Sequence, residues 1–526
     1  MKMYLLKRIL LAIFSFFIVV GTVMILCYSA IDRTSIFASD TSYVKYADNE
    51  KRVYEYSKYE EYGYLSFDNF YNYLAAKGKE KYGEDYADNE EYIALADQAR
   101  QDLANGTYAT NEYAKDFIDS YTARGWEITF LPQIVRSGKV SSRAYLIATY
   151  ERNVFARLGD YFGSMFSFET TSDVDDPNLP EEERYIRWEW DERSNMPALV
   201  GNGTTHKYLL YFDSKFPFVH VNFFQFKLGT SYVMYKGSNV SEVITTHTGA
   251  TYQSEQEYPS QLGTGITHLT SYDFHTVTYN KSELSDIEKE MYNDHYTVAL
   301  QQKDGLSMLA NSFIIGLIAT LIAYLLGLPF GIRMAHKKDG LGDKIGNLYI
   351  IFIMATPSLA YIFIFAAIGT SLFNLPYKFA LAEVPILAYI LPTVSLALPS
   401  IGSLMKWTRR YMIDQMNSDY VKFARSQGLS EGEIFTNHIF PNAFIYLVHG
   451  LPGNILACLT GAIITERVYG VPGVGNLLTN GINKYDNGLI VACTAFYTVL
   501  SIISVIAGDL LLAKYDPRVS LSGGKA

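Results

Sequence analysis

The chain has 526 residues, 49% of them apolar, and a formal net charge of −10. That apolar content excludes a polar disordered chain, and the length suffices for two or three ordinary domains. The charge is divided: residues 32–305 hold 43 acidic and 26 basic side chains, whereas the remainder holds 11 acidic and 18 basic. Nucleic acid is thereby excluded as a partner of the acidic block, whose carboxylates would repel the phosphates.

Six stretches are long and apolar enough to cross ~30 Å of hydrocarbon: residues 9–31, 308–332, 345–373, 384–405, 442–465 and 489–513. The first is read as an uncleaved span. Its apolar run is long for a signal peptide and no small-x-small site follows it, while Leu26 is a poor neighbour for lipoprotein processing at Cys27. Basic residues set the orientation. Lys2, Lys7 and Arg8 precede the first span; Arg333, Lys337, Lys338 and Lys344 lie between the second and third. Lys406, Arg409, Arg410, Lys422 and Arg425 follow the fourth, and Lys514, Arg518 and Lys525 follow the sixth. Both termini are therefore expected in the cytoplasm, and the acidic segment outside the cell. The expected fold is an all-α polytopic membrane domain of six transmembrane helices. Residues 1–33 form the first, residues 34–305 an inserted α+β extracytoplasmic domain, and residues 306–526 the other five.

The inserted segment contains no cysteine, which excludes disulfides and thiolate zinc sites there. Residues 40–125 read as acidic and partly helical, for instance over 90–103, and residues 126–280 read as strands. Twenty-nine of the 43 tyrosines fall in this segment, which suits either aromatic packing or a docking surface. The acidic run at 173–183 lacks the glycine that a calcium loop needs at its sixth position, where Asn178 stands, so it reads as a solvated loop. The six histidines of this segment show no ligand spacing. No metal site is expected.

Several spans carry helix breakers. Pro357 lies in the third, Pro385, Pro392 and Pro399 recur at intervals of seven in the fourth, and His449, Pro452 and Asn454 cluster in the fifth. Backbone groups freed by proline must be satisfied by neighbours or by cavity water. Two readings stand: kinked helices in a packed bundle, or a polar translocation path lined by Pro357, Pro392, His449, Pro452 and Asn454.

The loop at 406–441 is too polar for lipid. Asp419 near the start and Gly428 at the end delimit a short helix, and Ser430 with Glu433 spells a capping box that opens a second. Ala424, small and central, would let a partner approach closely. Taken alone, this is a generic helical hairpin.

The wording of this loop, Tyr-Val-Lys-Phe-Ala-Arg-Ser-Gln-Gly-Leu at 420–429 with His-Ile-Phe-Pro-Asn at 438–442, resembles the EAA loop of ABC importer permeases. It is most similar to the B-type permease subunit of dipeptide and oligopeptide importers. The opening at 1–20, the Thr-Glu-Arg-Val-Tyr-Gly-Val-Pro-Gly-Val-Gly run at 465–475 and Asp-Pro-Arg-Val at 516–519 resemble that family's corresponding segments. So does the stretch at 216–232, and the long insertion resembles Ami-type permeases of Gram-positive bacteria. One departure is Phe423-Ala424-Arg425, where a typical permease has Glu-Ala-Ala.

The resemblance implies a type I importer permease fold and a subunit that moves oligopeptides or dipeptides into the cell. It has no ATPase of its own and no cofactor in this chain, since ATP and magnesium would be held by partners. The implied partners are a second permease forming a heterodimer, two cytoplasmic ABC ATPases, an extracellular lipid-anchored peptide-binding protein, the peptide and membrane lipid. The ATPase-coupling residues would be Asp419, Phe423, Ala424, Arg425, Gly428, His438 and Pro441. Glu466, Pro472, Gly473 and Gly475 would form an outer gate. Consistently, no phosphate loop occurs in the chain, and Leu-Ser-Gly-Gly-Lys at 521–525 only mimics an ATPase signature. An export-side membrane protein or a receptor with an outer ligand-binding domain is the alternative. The former usually has four spans and no EAA loop, and the latter would need a signalling domain.

Overall fold

The computed structural model describes residues 2–172, 179–191, 196–204, 208–212, 219–235, 237–245, 255–257, 267–269, 306–382 and 384–516. The aspartates of the 173–178 run, the histidines at 206, 247, 275 and 295, and the 517–526 tail lie outside these residues.

The first helix, α1 (Lys2–Ala30), leads into a mixed segment. Its helices are α2 (Asp48–Glu61), α3 (Phe70–Tyr82), α4 (Glu90–Ala104), α5 (Glu112–Thr122), α6 (Val154–Gly163) and α7 (Val240–Thr245). Asparagine opens several of them: Asn69, Asn89, Asn111 and Asn153 each accept a bond from a first-turn N–H, satisfying a donor the helix itself cannot. The leading strands are β1 (Leu65–Asn69), β2 (Glu127–Leu131), β3 (Ile134–Arg136), β4 (Lys139–Ser142) and β5 (Tyr145–Glu151). Strand β5 runs at the centre of an antiparallel sheet, between β1 and β2. Its alternation explains its sequence: Leu146 and Ala148 pack with Phe70, Leu103 and Phe117, while Tyr145 and Ile147 pack with Ile36, Phe37 and Tyr59. A strand covered on both faces is apolar at successive positions, and this one is over residues 145–148, before it becomes exposed at Tyr150 and Glu151. Many tyrosines are consumed in these two cores; burial and the Asp68 carboxylate push the Tyr121 hydroxyl up to about 12.

A second pair of sheets follows. Strands β6 (Phe166–Phe168) and β11 (Phe224–Phe226) pair with each other, while β7 (Ile186–Asp191), β8 (Met196–Gly201), β9 (Tyr208–Phe212) and β10 (Val219–Val221) form an antiparallel sheet in sequence order. Met165, Leu228, Val240 and Ile244 then pack with Phe16, Val20 and Met24 of α1. They also meet the start of the last helix, where the Asp486 carboxylate accepts bonds from Ser231 Oγ and the Val233 and Met234 N–H groups. The mixed segment is thus tied to the apolar helices by a core and by a buried carboxylate.

The remaining helices are α8 (Met308–His336), α9 (Leu341–Ala355), α10 (Ser358–Phe373), α11 (Leu387–Met416), α12 (Asp419–Ser426), α13 (Glu431–Ile434), α14 (Phe440–His449), α15 (Leu451–Tyr469), α16 (Val474–Asn483) and α17 (Asn487–Tyr515). Four helices among the described residues, α1, α8, α11 and α17, are long and apolar enough to cross a membrane, or up to six spans if each bent pair counts as one. The stretch expected as one span with a breaker at Pro357, residues 345–373, is bent by 112° between α9 and α10. Pro357 causes this: its ring disfavours helical backbone at Thr356, which is extended. Pro392 and Pro399, by contrast, lie inside a continuous α11.

Helices α8 and α11 pack closely because α8 offers Gly327 and Gly331 one turn apart. A Cβ at Gly331 would lie 2.7 Å from Thr408 Cβ, and one at Gly327 would lie 3.1 Å from the Ile401 carbonyl oxygen. Small residues at this spacing let helix backbones meet in a membrane, where no hydrophobic force drives association. Asp343 in α9 makes two bonds to the Arg409 guanidinium of α11, at 2.6 and 2.7 Å, which clamps α9 to the same pair.

Candidate functional site

The hairpin between α11 and α14 forms as its residues dictate. In α12, Asp419 pairs with Lys422 at 2.8 Å. The chain turns at Gly428, whose φ of +83° lies in the left-handed region. Ser430 then receives the Glu433 N–H while the Glu433 carboxylate receives the Ser430 N–H, at 3.3 and 2.9 Å, so the capping box is present. Arg425 crosses the turn to Glu431 through two bonds of 2.7 and 3.1 Å and holds that carboxyl below the usual carboxylate range. A single π-helical turn at Phe435–Ile439 joins α13 to α14. It carries His438, whose carbonyl receives the Asn442 side chain at 2.7 Å, and Pro441 sits in the first turn of α14.

The hairpin seats on its own chain: Val421, Ala424, Ile434 and Ile439 share a buried cluster with Ala335 of α8, Met412 of α11 and Ala443 of α14. This corrects the expectation for Ala424. At 4% exposure it offers no open approach to a partner; its small side chain lets α12 lie flat on the helices beneath. The outward face is made by the alternate positions, with Phe423 at 64% exposure, and nothing lies within 4 Å of where a Gly428 Cβ would stand.

At the other end of α8, the segment expected as an outer gate is a buried lock. Glu466 is fully buried. Its carboxylate accepts Ser312 Oγ at 2.7 Å and the Asn476 N–H at 2.9 Å. Ser312 Oγ in turn accepts the Val474 N–H at 3.0 Å, and Asn311 donates to the Pro472 carbonyl at 2.8 Å. Gly473 and Gly475 are required by contact: a Cβ on Gly475 would lie 2.6 Å from Ile463 Cα, and one on Gly473 would collide with the Glu466 carboxylate. Ser312 and Asn311 escaped sequence reasoning, because their partners Glu466 and Pro472 lie more than 150 residues away in the chain.

A cavity of about 290 Å³ opens between α8, α10, α11 and α15. Tyr324, Ser358, Tyr361, Ser400, Ser403 and Asn454 give it a hydroxyl-rich wall. Asn454 donates to the Tyr324 hydroxyl at 2.9 Å. Of the expected path residues, Asn454 lines this cavity, whereas Pro357, Pro392, His449 and Pro452 do not. His449 Nδ1 instead meets the Gly508 carbonyl of α17 at 2.9 Å, and Pro452 follows the 44° bend between α14 and α15. The serines at 358, 400 and 403 were missed; the proline spacing drew attention to the backbone, while the adjacent hydroxyls face the cavity.

A family model described as "Binding-protein-dependent transport system inner membrane component" matches residues 327–521. The oligopeptide transport system permease protein AmiC of Streptococcus pneumoniae is 32% identical over the full length of both chains. The dipeptide transport system permease protein DppB of Bacillus subtilis is 29% identical, over 40% of this chain and 68% of that protein. A solved structure of the MetNI methionine ABC transporter aligns with 40% of this chain at 12% identity and a TM-score of 0.33. The match that includes the whole mixed segment decides the family. The chain belongs to the Ami-like permeases of peptide ABC transporters. These are membrane transport subunits, with the ATPase carried by a separate chain.

Proposed function

We propose that this chain is the permease subunit of an ABC importer that moves oligopeptides into the cell. Full-length similarity to an oligopeptide permease carries the reading, because it spans the membrane helices and the insertion together. The chain would cross the membrane six times, the bent pairs α9–α10 and α14–α15 each counting once, with both termini cytoplasmic. Residues 1–33 would form the first span, residues 34–305 an extracellular domain and residues 306–526 the transport core. The Lys and Arg residues around the α8–α9 turn (Arg333, Lys337, Lys338, Lys344), at the end of α11 and in the hairpin (Lys406, Arg409, Arg410, Lys422, Arg425), and at and after the end of α17 (Lys514, Arg518, Lys525) support this orientation.

In this reading the hairpin couples transport to two cytoplasmic ATPases, which hold the ATP and magnesium. Asp419, Phe423, Arg425 and Gly428 form its contact face. Ala424, His438 and Pro441 shape and seat it. The Glu466 lock with Pro472, Gly473 and Gly475 forms the outer gate, and the cavity walled by Tyr324 and Asn454 is this chain's share of the path. A second, different permease completes the pore, and a lipid-anchored receptor delivers peptide to the outer domain. Phe423→Glu tests the core of the proposal, since that side chain is 64% exposed on an ordinary helical backbone and the change acts on a partner more than on the fold. Loss of both labelled-peptide uptake and ATPase co-purification is expected. Normal uptake with intact co-purification would remove the hairpin from the coupling role.

A further inference from the structure

A second cavity, of about 480 Å³, lies between α8, α9 and α11. Its walls are Leu326 and Phe330 of α8, Ile345 of α9 and Ile401 of α11, and Gly346 forms part of its lining. The hydroxyl of Tyr349, which also lines it, is bonded to the Leu398 carbonyl at 2.8 Å, so that group needs no further partner. The exception to this apolar lining is Arg333, at the end where α8 closes. The nearby Asp343 cannot neutralise it, because both carboxylate oxygens are taken by Arg409. Lys337, Lys338 and Lys344 flank the same end, against Asp339. The result is an apolar slot with a cationic mouth at the end of a membrane helix.

We propose that this groove binds a phospholipid with an anionic headgroup, its phosphate on Arg333 and one acyl chain between Phe330 and Ile345. The charge pattern selects this occupant: a neutral lipid would fill the slot but leave the mouth unmatched, and basic pockets between helices at the cytoplasmic side recognise anionic headgroups. A guanidinium suits a phosphate through paired hydrogen bonds. The site bears on the rest of the molecule through one helical turn. Arg333 and Met334 line the groove, while Ala335 lies under the hairpin and His336 meets the Phe435 ring at 5.0 Å. An acyl chain seated there braces the turn that carries the hairpin. The inference needs the membrane placement of these helices but not the direction or substrate of transport.

The test uses the complete importer in phosphatidylcholine nanodiscs doped in separate arms with phosphatidylglycerol or cardiolipin, which share the phosphodiester. The lipid retained after detergent washing is quantified by mass spectrometry. Arg333→Ala should retain about tenfold less anionic lipid, the loss of one charge-assisted contact. Ile345→Trp should lose it too, by filling the slot while leaving every charge in place. The double variant Lys337→Ala/Lys338→Ala should retain it. Equal retention by all variants would mean annular lipid only, and loss confined to the lysine pair would mean diffuse surface attraction. Cross-linking of an Ile345→Cys variant to the partner permease would mean that protein covers the groove. Each of these three results overturns the proposal.

Discussion

Replacing Glu466 puts the outer lock to its sharpest test. The carboxylate is fully buried and receives Ser312 Oγ and the Asn476 N–H. Each hydrogen bond to a charged group contributes roughly 1.5–3 kcal/mol, and each buried donor left without an acceptor costs about 1–3 kcal/mol. Glu466→Ala orphans both donors and opens a void, so a cost of about 3–6 kcal/mol follows. Glu466→Gln keeps the shape but turns an NH₂ group towards one of the two donors, so about 1–3 kcal/mol follows. Ser312→Ala removes one donor and the acceptor of the Val474 N–H, again about 1–3 kcal/mol. Because the residues touch, the double variant Glu466→Gln/Ser312→Ala should cost less than the sum of its parts. Thermal midpoints of the purified importer in nanodiscs should therefore fall in the order wild type, Gln, Ala. Uptake should fall with them, since a loosened loop no longer closes. A Gln variant with unchanged midpoint and uptake, or a fully additive double variant, would refute the lock.

Other sites give equally direct expectations. Gly428→Ala forces an L residue to φ +83° at a cost of about 1–2 kcal/mol, and Gly428→Asn should recover part of it, because asparagine tolerates that region; ATPase co-purification should rank glycine, asparagine, alanine. Arg409→Ala strands the buried Asp343 carboxylate and should cost about 3–5 kcal/mol, read as a loss of monodisperse protein after solubilisation, whereas Arg409→Ala with Asp343→Asn should recover much of it. Asp486→Ala leaves the Val233 and Met234 N–H groups without their acceptor, so hydrogen exchange at 230–235 should accelerate while exchange in α3–α5 stays unchanged.

Much of this architecture is written locally, and what is local was legible. The hairpin is the clearest case: Asp419, Gly428 and the Ser430–Glu433 pair specify their own caps and turn, and the structure reproduces each. The 90–103 helix was legible for the same reason, since Asn89 caps it and Ala96, Ala99 and Leu103 recur at helical spacing on its buried face. What escaped is what depends on residues far apart in the chain. Ala424 read as an open approach because nothing in its own helix reveals that Ala335, Met412 and Ile434 will cover it. Ser312 and Glu466 are 154 positions apart, and Ser231 and Asp486 are 255 apart. Such polar ties leave no periodic trace. The prolines were misleading in a different way, because one residue type has opposite outcomes: Pro357 breaks the chain by 112°, whereas Pro392 and Pro399 ride inside an unbroken helix whose neighbours absorb the lost bonds.

The lock and the hairpin stand at opposite ends of one helix, and this arrangement constrains how they could communicate. Ser312 and Ala335 are 23 residues apart on α8, roughly 35 Å at 1.5 Å per residue. Helix α11 runs beside it, with Tyr389 bonded to Asn311 near the lock and Met412 packed under the hairpin. Gly327 and Gly331 hold the pair at backbone contact over the third of α8 nearest the hairpin, so there one helix cannot shift past the other without collision. In the proposed coupling, a push on the hairpin would move α8 and α11 as a strut, and the displacement would arrive at Ser312 as a change of geometry at the Glu466 carboxylate. A lock built from a few directional hydrogen bonds responds steeply to small shifts, whereas an apolar contact would yield gradually. Placing the polar network at one end of the strut and the apolar seat at the other would make the lock end the part that switches and the hairpin end the part that grips.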